Sequence, residues 1–319
     1  MAAAFAALTA AAGDGAAFDC FPADVKTVGV VMPASILSKG RFDEGVAALK
    51  RAGVNVKLAP RLDFKKRAPA ADRAADFQEM WMDPEVDLVL CARGGQGSED
   101  ILPLLDWDKL RTRNGQRVLG FSNITMILNA MLLKGAGHPV SGPSISQMLY
   151  AKGDTFDWLK KTVSGAPLPP AKLRALVPGA FSGLPCGGHI ALVKKGIGTG
   201  WACNPAGRVV FLERNASATV AELERELDVI ASSGWLKDCA GVIFGDVTPK
   251  RVKGESAAEA REKVEAAKLA FAGRIGRPVY DGYSYGHIPV SHAIDFQRKV
   301  SVSEDGTVAW ADVVKGGVK

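Results

Sequence analysis

Over its first half the chain repeats one pattern: an apolar, β-branched run, then a stretch with helical periodicity, then another apolar run. Strands buried on both faces read as unbroken apolar runs, and parallel strands need a crossover connection, usually a helix. The alternation therefore predicts an α/β fold built on an open, mostly parallel sheet. Strands are expected over 25–32 (VKTVGVVM), 54–58, 86–91 (VDLVLC) and 117–121. Helices are expected over 42–52, 70–82, 101–105 and 124–134. Asp83-Pro84 stops the second helix, because proline cannot continue one. In such sheets, sites form beyond the carboxyl ends of the strands.

The pattern changes in the second half. Residues 151–180 are rich in Lys, Gly and Pro, including Pro167, Pro169 and Pro170, and read as a partly helical linker. Beyond it, strands are expected over 209–212, 240–244, near Val279, over 299–302 and over 307–310. Helices are expected over 218–232, with Val220, Leu223, Leu227 and Ile230 on one face, and over 255–271. The expected organisation is a leader over 1–24, a Rossmann-like domain over 25–150, the linker, and a smaller, β-rich α/β domain over 181–319.

Composition narrows the class. With 47% hydrophobic and 23% charged residues, the chain is globular rather than collagenous or disordered. A net charge of +6 suits an anionic partner. No arginine-rich helix or basic patch interleaved with aromatics is present, so the partner is expected to be a small molecule rather than nucleic acid. Five cysteines, widely spaced and without a CxxC pair, argue for buried reduced thiols and against a structural zinc. The alanine-rich stretch 1–17 resembles a signal-peptide core but lacks the positive n-region. It is read as a leader, with a cytoplasmic location expected, or a periplasmic one if it is a truncated signal. No membrane span is expected.

Two sharp turns follow strands: Arg93-Gly94-Gly95-Gln96-Gly97 after VDLVLC, and Gly120-Phe121-Ser122-Asn123 between a strand and a helix. Glycines there let the backbone turn tightly and point N–H groups outward, toward a phosphate or an oxyanion. RGGQG alone reads as a plain turn, lacking the lysine of a P-loop and the spacing of a dinucleotide fingerprint. Ser122 stands where a nucleophile elbow would place it, although on local sequence alone a helix N-cap is the stronger reading. A nucleophilic serine needs a base and the base an orienter. The chain has four histidines: His287 and His292 follow the strand at Val279, while His138 and His189 fall in Gly/Pro-rich loops. Glu213 ends the strand over 209–212. No HExxH, Cys/His cluster or GxGxxG is present, so neither metal nor cofactor is expected.

Taken together these segments resemble the L,D-carboxypeptidase family, which includes the microcin-immunity peptidases. RGGQG followed by LLDW (104–107) is similar to the family's RGGYG…LLDW, and GFSNIT (120–125) to its GFSDIT. Ser141-Gly142-Pro143 resembles its HGP, and Gly187-Gly188-His189 with Gly198-Thr199 its GGN…GT. VFLE (210–213) resembles LFLED, and Tyr285-Gly286-His287 with Pro289 its GH…LP. The matches run in family order from about residue 28 to about 296. The resemblance implies a Ser122–Glu213–His287 triad across two domains and an oxyanion hole from the backbone N–H groups of Gly95 and Asn123. It also implies substrate contacts at Gly94, Gln96 and His189, a muropeptide substrate and a homodimer. His287 is preferred over His292 because it follows Gly286 at the family's GH position.

The chain also departs from the pattern. Gln96 replaces tyrosine, Asn123 aspartate, Arg214 the aspartate after the glutamate, and His189 an asparagine. The stretch between His287 and Pro289 is short, and Ser291 stands where glycine is common. The expected activity is release of a terminal D-alanine from a murein tetrapeptide. The alternatives are a microcin-immunity-type hydrolase of peptidyl- or aminoacyl-nucleotides, a weakened muropeptide-binding paralogue, and a dinucleotide-binding enzyme. The absence of a long aromatic-bearing insertion after GGH counts against the first of these. VMPAS, standing where a glycine fingerprint would follow the first strand, counts against the last.

Overall fold

The computed structural model describes residues 17–311. Five parallel strands, β1 (Thr27–Val31), β2 (Asn55–Leu58), β3 (Leu88–Cys91), β4 (Arg117–Gly120) and β5 (His138–Ser141), lie in the order 2-1-3-4-5. Between them run α1 (Lys39–Arg51), α2 (Ala70–Met82), α3 (Trp107–Arg111) and α4 (Thr125–Lys134); α5 (Ile145–Met148) follows β5. α1 shows why this alternation folds so: Phe42, Gly45, Ala48 and Leu49 are its buried positions, a single stripe at helical spacing. The short helix expected over 101–105 is a 3-10 helix at Ser98–Leu104, with Pro103 inside it. The strand order reverses between β1 and β3, which opens a crevice at their carboxyl ends.

The rest of the chain carries α6 (Thr155–Ser164), β6 (Ala171–Lys172), β7 (Arg174–Val177), β8 (Phe181–Gly183), β9 (Pro185–His189) and α7 (Ile190–Thr199). Next come β10 (Val209–Arg214), α8 (Val220–Ser232), β11 (Gly241–Val247), α9 (Ala257–Ile275) and β12 (Val279–Asp281). β13 (Ile294–Asp295), β14 (Val300–Val302) and β15 (Thr307–Trp310) complete it. A second sheet, ordered β7-β12-β11-β10-β9, is parallel except for β7. A small antiparallel sheet is ordered β6-β15-β14-β8. β10 is buried on both faces. Val209 and Phe211 join the core shared with the first sheet, and Val210 and Leu212 join the core under α7, α8 and α9. No helix among the described residues is long and apolar enough to cross a membrane.

Several expectations need correction. Residues 1–16 of the expected leader lie outside the described residues, but Phe18, Cys20 and Phe21 are buried in the first core. The segment 151–180 is not a simple linker, since β6 and β7 pair into the two later sheets. β13, late in the chain, returns to pair antiparallel with β5, so the chain does not divide cleanly between the sheets. His138 and His189 are not in loops: one begins β5 and the other ends β9. Both strands escaped notice because they are four or five residues long and carry glycine or proline, which mask an apolar run.

Candidate active site

The carboxyl ends of the first and second sheets face each other, and the site lies between them. Ser122 follows β4 and opens a 3-10 turn (Ser122–Ile124) that leads into α4. Its φ of 62° is the only positive value among the described non-glycine residues. Left-handed backbone at such a residue costs about 1–3 kcal/mol, a strain that clusters at functional sites. The turn fits because Gly94 lies against it: a Cβ there would stand 2.8 Å from Ser122 Cβ and 2.9 Å from the Phe121 carbonyl oxygen. Ser122 caps nothing with its hydroxyl; the N-cap position belongs to Phe121.

Glu213 continues the alternation of β10, on the face of Val209 and Phe211 that looks toward the first sheet. It lies inside the strand rather than at its end. His287 arrives on the loop after β12. Gly286, at φ 148°, brings that loop against β11, where a Cβ would meet Asp246 Cβ at 2.8 Å. Tyr285 ties the loop to β5 through a 2.7 Å hydroxyl contact with Ser141, and Phe121 packs edge-on against the Tyr285 ring. His287 Nδ1 then lies 2.8 Å from Glu213 Oε2, and its Nε2 3.0 Å from Ser122 Oγ. A carboxylate only accepts, so Nδ1 carries the proton and Ser122 donates to Nε2. Burial pushes the Glu213 carboxyl up, but His287, His189 and Arg214 outweigh it and hold the group below its ordinary range. Glu213 is thus held as the carboxylate that accepts from His287 Nδ1.

His292 is elsewhere. It stacks on Trp158 with ring centroids 3.8 Å apart and bonds Asp154 through Nε2 at 3.1 Å. His138 pairs with Asp295 across β5 and β13. The Asn123 side chain is spent on structure, accepting from the Ser98 N–H at 2.8 Å. Among the described residues neither the Asn123 nor the Gly95 N–H donates a hydrogen bond. Gly95, at φ 103°, sits over Ser35, and Gln96 donates its N–H to Ser35 Oγ at 3.0 Å. His189 borders the site but is 6% exposed.

A cavity of about 670 Å³ opens at Ser122, bordered by Gly95, Gln96, Asn123 and His189. It also takes in Arg93 and Arg214, together with Ser35, Arg67, Lys195 and Ser217, which no sequence motif marks. Its charged lining is four cations, Arg67, Arg93, Lys195 and Arg214, against Glu99 and Asp100. Lys195 is paired with Glu99, and Arg214 with Glu226. Ser35 could have been found from its place just past the first strand; the cations come from separate elements and carry no common signal.

Fold and site define a class: an α/β protein with a hydrogen-bonded serine, histidine and glutamate spanning the carboxyl edges of its two larger sheets. Residues 28–139 match the LD-carboxypeptidase N-terminal domain and residues 182–302 the LD-carboxypeptidase C-terminal domain. The chain belongs to the LD-carboxypeptidase family. It is 28% identical over 318 residues to a protein of Bacillus subtilis named a probable murein peptide carboxypeptidase, covering 92% of this chain and 94% of that one. It is 25% identical over 302 residues to the murein tetrapeptide carboxypeptidase of Pseudomonas aeruginosa, covering 89% and 94%. The crystal structure of a muramoyltetrapeptide carboxypeptidase from Oxalobacter formigenes superposes with a TM-score of 0.76. It shares 22% identity and covers 89% of this chain and 98% of that one.

Proposed function

We propose that the protein is a serine carboxypeptidase that hydrolyses an L,D-amide bond and releases terminal D-alanine from a murein tetrapeptide. The observation that carries this reading is the Ser122–His287–Glu213 hydrogen-bond chain. Ser122 Oγ attacks the scissile carbonyl carbon while His287 Nε2 takes its proton, and Glu213 holds the ring and offsets the imidazolium charge. The free N–H groups of Gly95 and Asn123 receive the oxyanion. Collapse breaks the C–N bond, and His287 returns the proton to the leaving D-alanine amine. Water, deprotonated by His287, then hydrolyses the acyl-enzyme. The excess of cations around the cavity suits an anionic stem peptide.

The family resemblance extends the proposal to a homodimer, to be tested by light scattering. Five free, buried cysteines favour a reducing, cytoplasmic location. The deciding experiment is incubation with purified murein tetrapeptide and mass spectrometry for loss of one alanine, with an aminoacyl-nucleotide in parallel. Release of D-alanine by wild type and none by folded Ser122→Ala is expected. Cleavage of the nucleotide conjugate alone would overturn the choice of substrate.

A further inference from the structure

Asn123 stands where the family pattern has aspartate, and its amide has two neighbours. Its Oδ1 accepts from the Ser98 N–H at 2.8 Å. A backbone N–H only donates, so the atom facing it is the oxygen and Nδ2 points the other way. There Nδ2 donates to Glu99 Oε2 at 3.4 Å. The same carboxylate oxygen accepts from the Gly97 N–H at 3.2 Å. Glu99 Oε1 pairs with Lys195. Burial pushes the Glu99 carboxyl up, but Lys195, a backbone N–H and Asn123 outweigh it and hold the group below its ordinary range.

Glu99 therefore joins three elements at one point. Gly97, at φ 94°, ends the glycine turn that carries Gly95. Asn123 belongs to the Ser122 turn, and its carbonyl oxygen also accepts from the fully buried Ser98 hydroxyl at 2.6 Å. Lys195 lies on α7, directly after β9 of the second sheet, and lines the same cavity. Its side chain is 44% exposed, so its attraction to Glu99 is screened and weak by itself. The stronger tie runs between the two turns. Gly95 and Asn123, whose N–H groups donate to nothing else among the described residues, sit one on each of them.

We propose that Glu99 is a positioning residue for the oxyanion hole: its carboxylate staples the glycine turn to the Ser122 turn, with Asn123 as the residue matched to it. This rests on the reading of Ser122 as nucleophile and of the Gly95 and Asn123 N–H groups as its oxyanion donors. The match accounts for the departure from aspartate. An aspartate at 123 would still accept from Ser98, but its second oxygen would stand where Nδ2 stands, 3.4 Å from Glu99 Oε2. Two carboxylates at that distance repel, and one is driven to bind a proton. The amide turns the same contact into a donor facing an acceptor. Oxyanion donors are effective because they are already in place when charge develops. Glu99 acts through those donors by fixing the distance between their two turns.

The test is labelling of Ser122 by a fluorophosphonate in the full-length protein, with the limiting rate kinact separated from the reagent affinity KI and a thermal melt of each variant. The phosphoryl oxygen of this reagent enters the oxyanion hole, and the readout does not depend on which peptide is cleaved. Glu99→Ala should lower kinact about tenfold or more with KI little changed, since misplacement of about 1 Å costs up to about a hundredfold. Glu99→Gln, whose side-chain oxygen can accept from Gly97 and Asn123, should recover most of that loss. Asn123→Asp should also lower kinact. Adding Glu99→Gln to it should raise kinact again, because only one of the two facing charges remains. A folded Glu99→Ala protein with wild-type kinact overturns the proposal, as does a loss confined to KI or wild-type labelling by Asn123→Asp. So does a double variant no faster than Asn123→Asp alone, and that comparison decides the matter even if Glu99→Ala does not fold. Labelling as expected without any tetrapeptide cleavage sinks the murein reading and leaves this one standing, whereas a wild-type Ser122 that does not label sinks both.

Discussion

Replacing Glu213 by glutamine keeps the shape of a fully buried side chain and removes its charge. The amide has one oxygen and one nitrogen to place. With its NH₂ in the place of Oε2, the amide faces His287 Nδ1, 2.8 Å from the replaced atom. Facing a donor, Nδ1 gives up its proton, which moves to Nε2 and meets Ser122 Oγ at 3.0 Å, where a lone pair is needed. Loss of the charge beside the forming imidazolium is worth about 4 kcal/mol for charges about 4 Å apart at an effective dielectric of about 20. The wrong tautomer adds to this, and the sum should approach the roughly 10⁴-fold fall in kcat that carboxylate-to-amide changes give in such triads. That fall is about 5.5 kcal/mol at 1.36 per factor of ten. Stability should fall as well, because the partners that hold the Glu213 carboxyl below its ordinary range outweigh its desolvation and act on the charge that is lost. The assay pairs tetrapeptide turnover with a thermal melt. A Glu213→Gln protein that melts like wild type and keeps kcat within about tenfold of it would refute the role of Glu213 as orienter.

Three other outcomes are expected. His287→Ala should abolish tetrapeptide turnover while His292→Ala keeps it and loses stability through its Trp158 stack, so an inactive but folded His292→Ala protein would reverse the assignment. Gly94→Ala should cut Ser122 labelling by about a hundredfold, because a Cβ 2.8 Å from Ser122 Cβ shifts the turn and misplacement of about 1 Å costs that much; unchanged labelling kinetics would show that the turn yields freely. Burial holds the His189 pKa below the ordinary imidazole value, so on acidification the unfolded chain takes up this proton first. The corresponding stability is complete above about pH 6.5 and declines as pH falls from there toward the folded pKa. Urea titrations at about pH 7 and pH 5.5 should show His189→Asn flattening this loss, and a slope equal to wild type would contradict it.

The α/β class and most first-half elements were legible because each strand is a local apolar run and each helix has its own stripe; α2 falls over 70–82, where the sequence places it. Ser122 and His287 were singled out by the resemblance of their glycine-bearing segments, GFSN and YGH, to the family's, since local sequence alone favoured an N-cap for Ser122. β5 and β9 were missed, since short strands carrying Pro139 or Gly187 and Gly188 show no apolar run to read. What only the tertiary structure decided is where separate elements meet. The sequence could not place Glu213 on the inward face of β10, seat His292 against Trp158, return β13 to the first sheet, or set His189 beside Arg214 and Glu213. A residue's type and its neighbours in the chain are local information. Which buried donor faces which buried acceptor depends on sheet register and loop closure between residues far apart in the chain, and no short-range pattern records it.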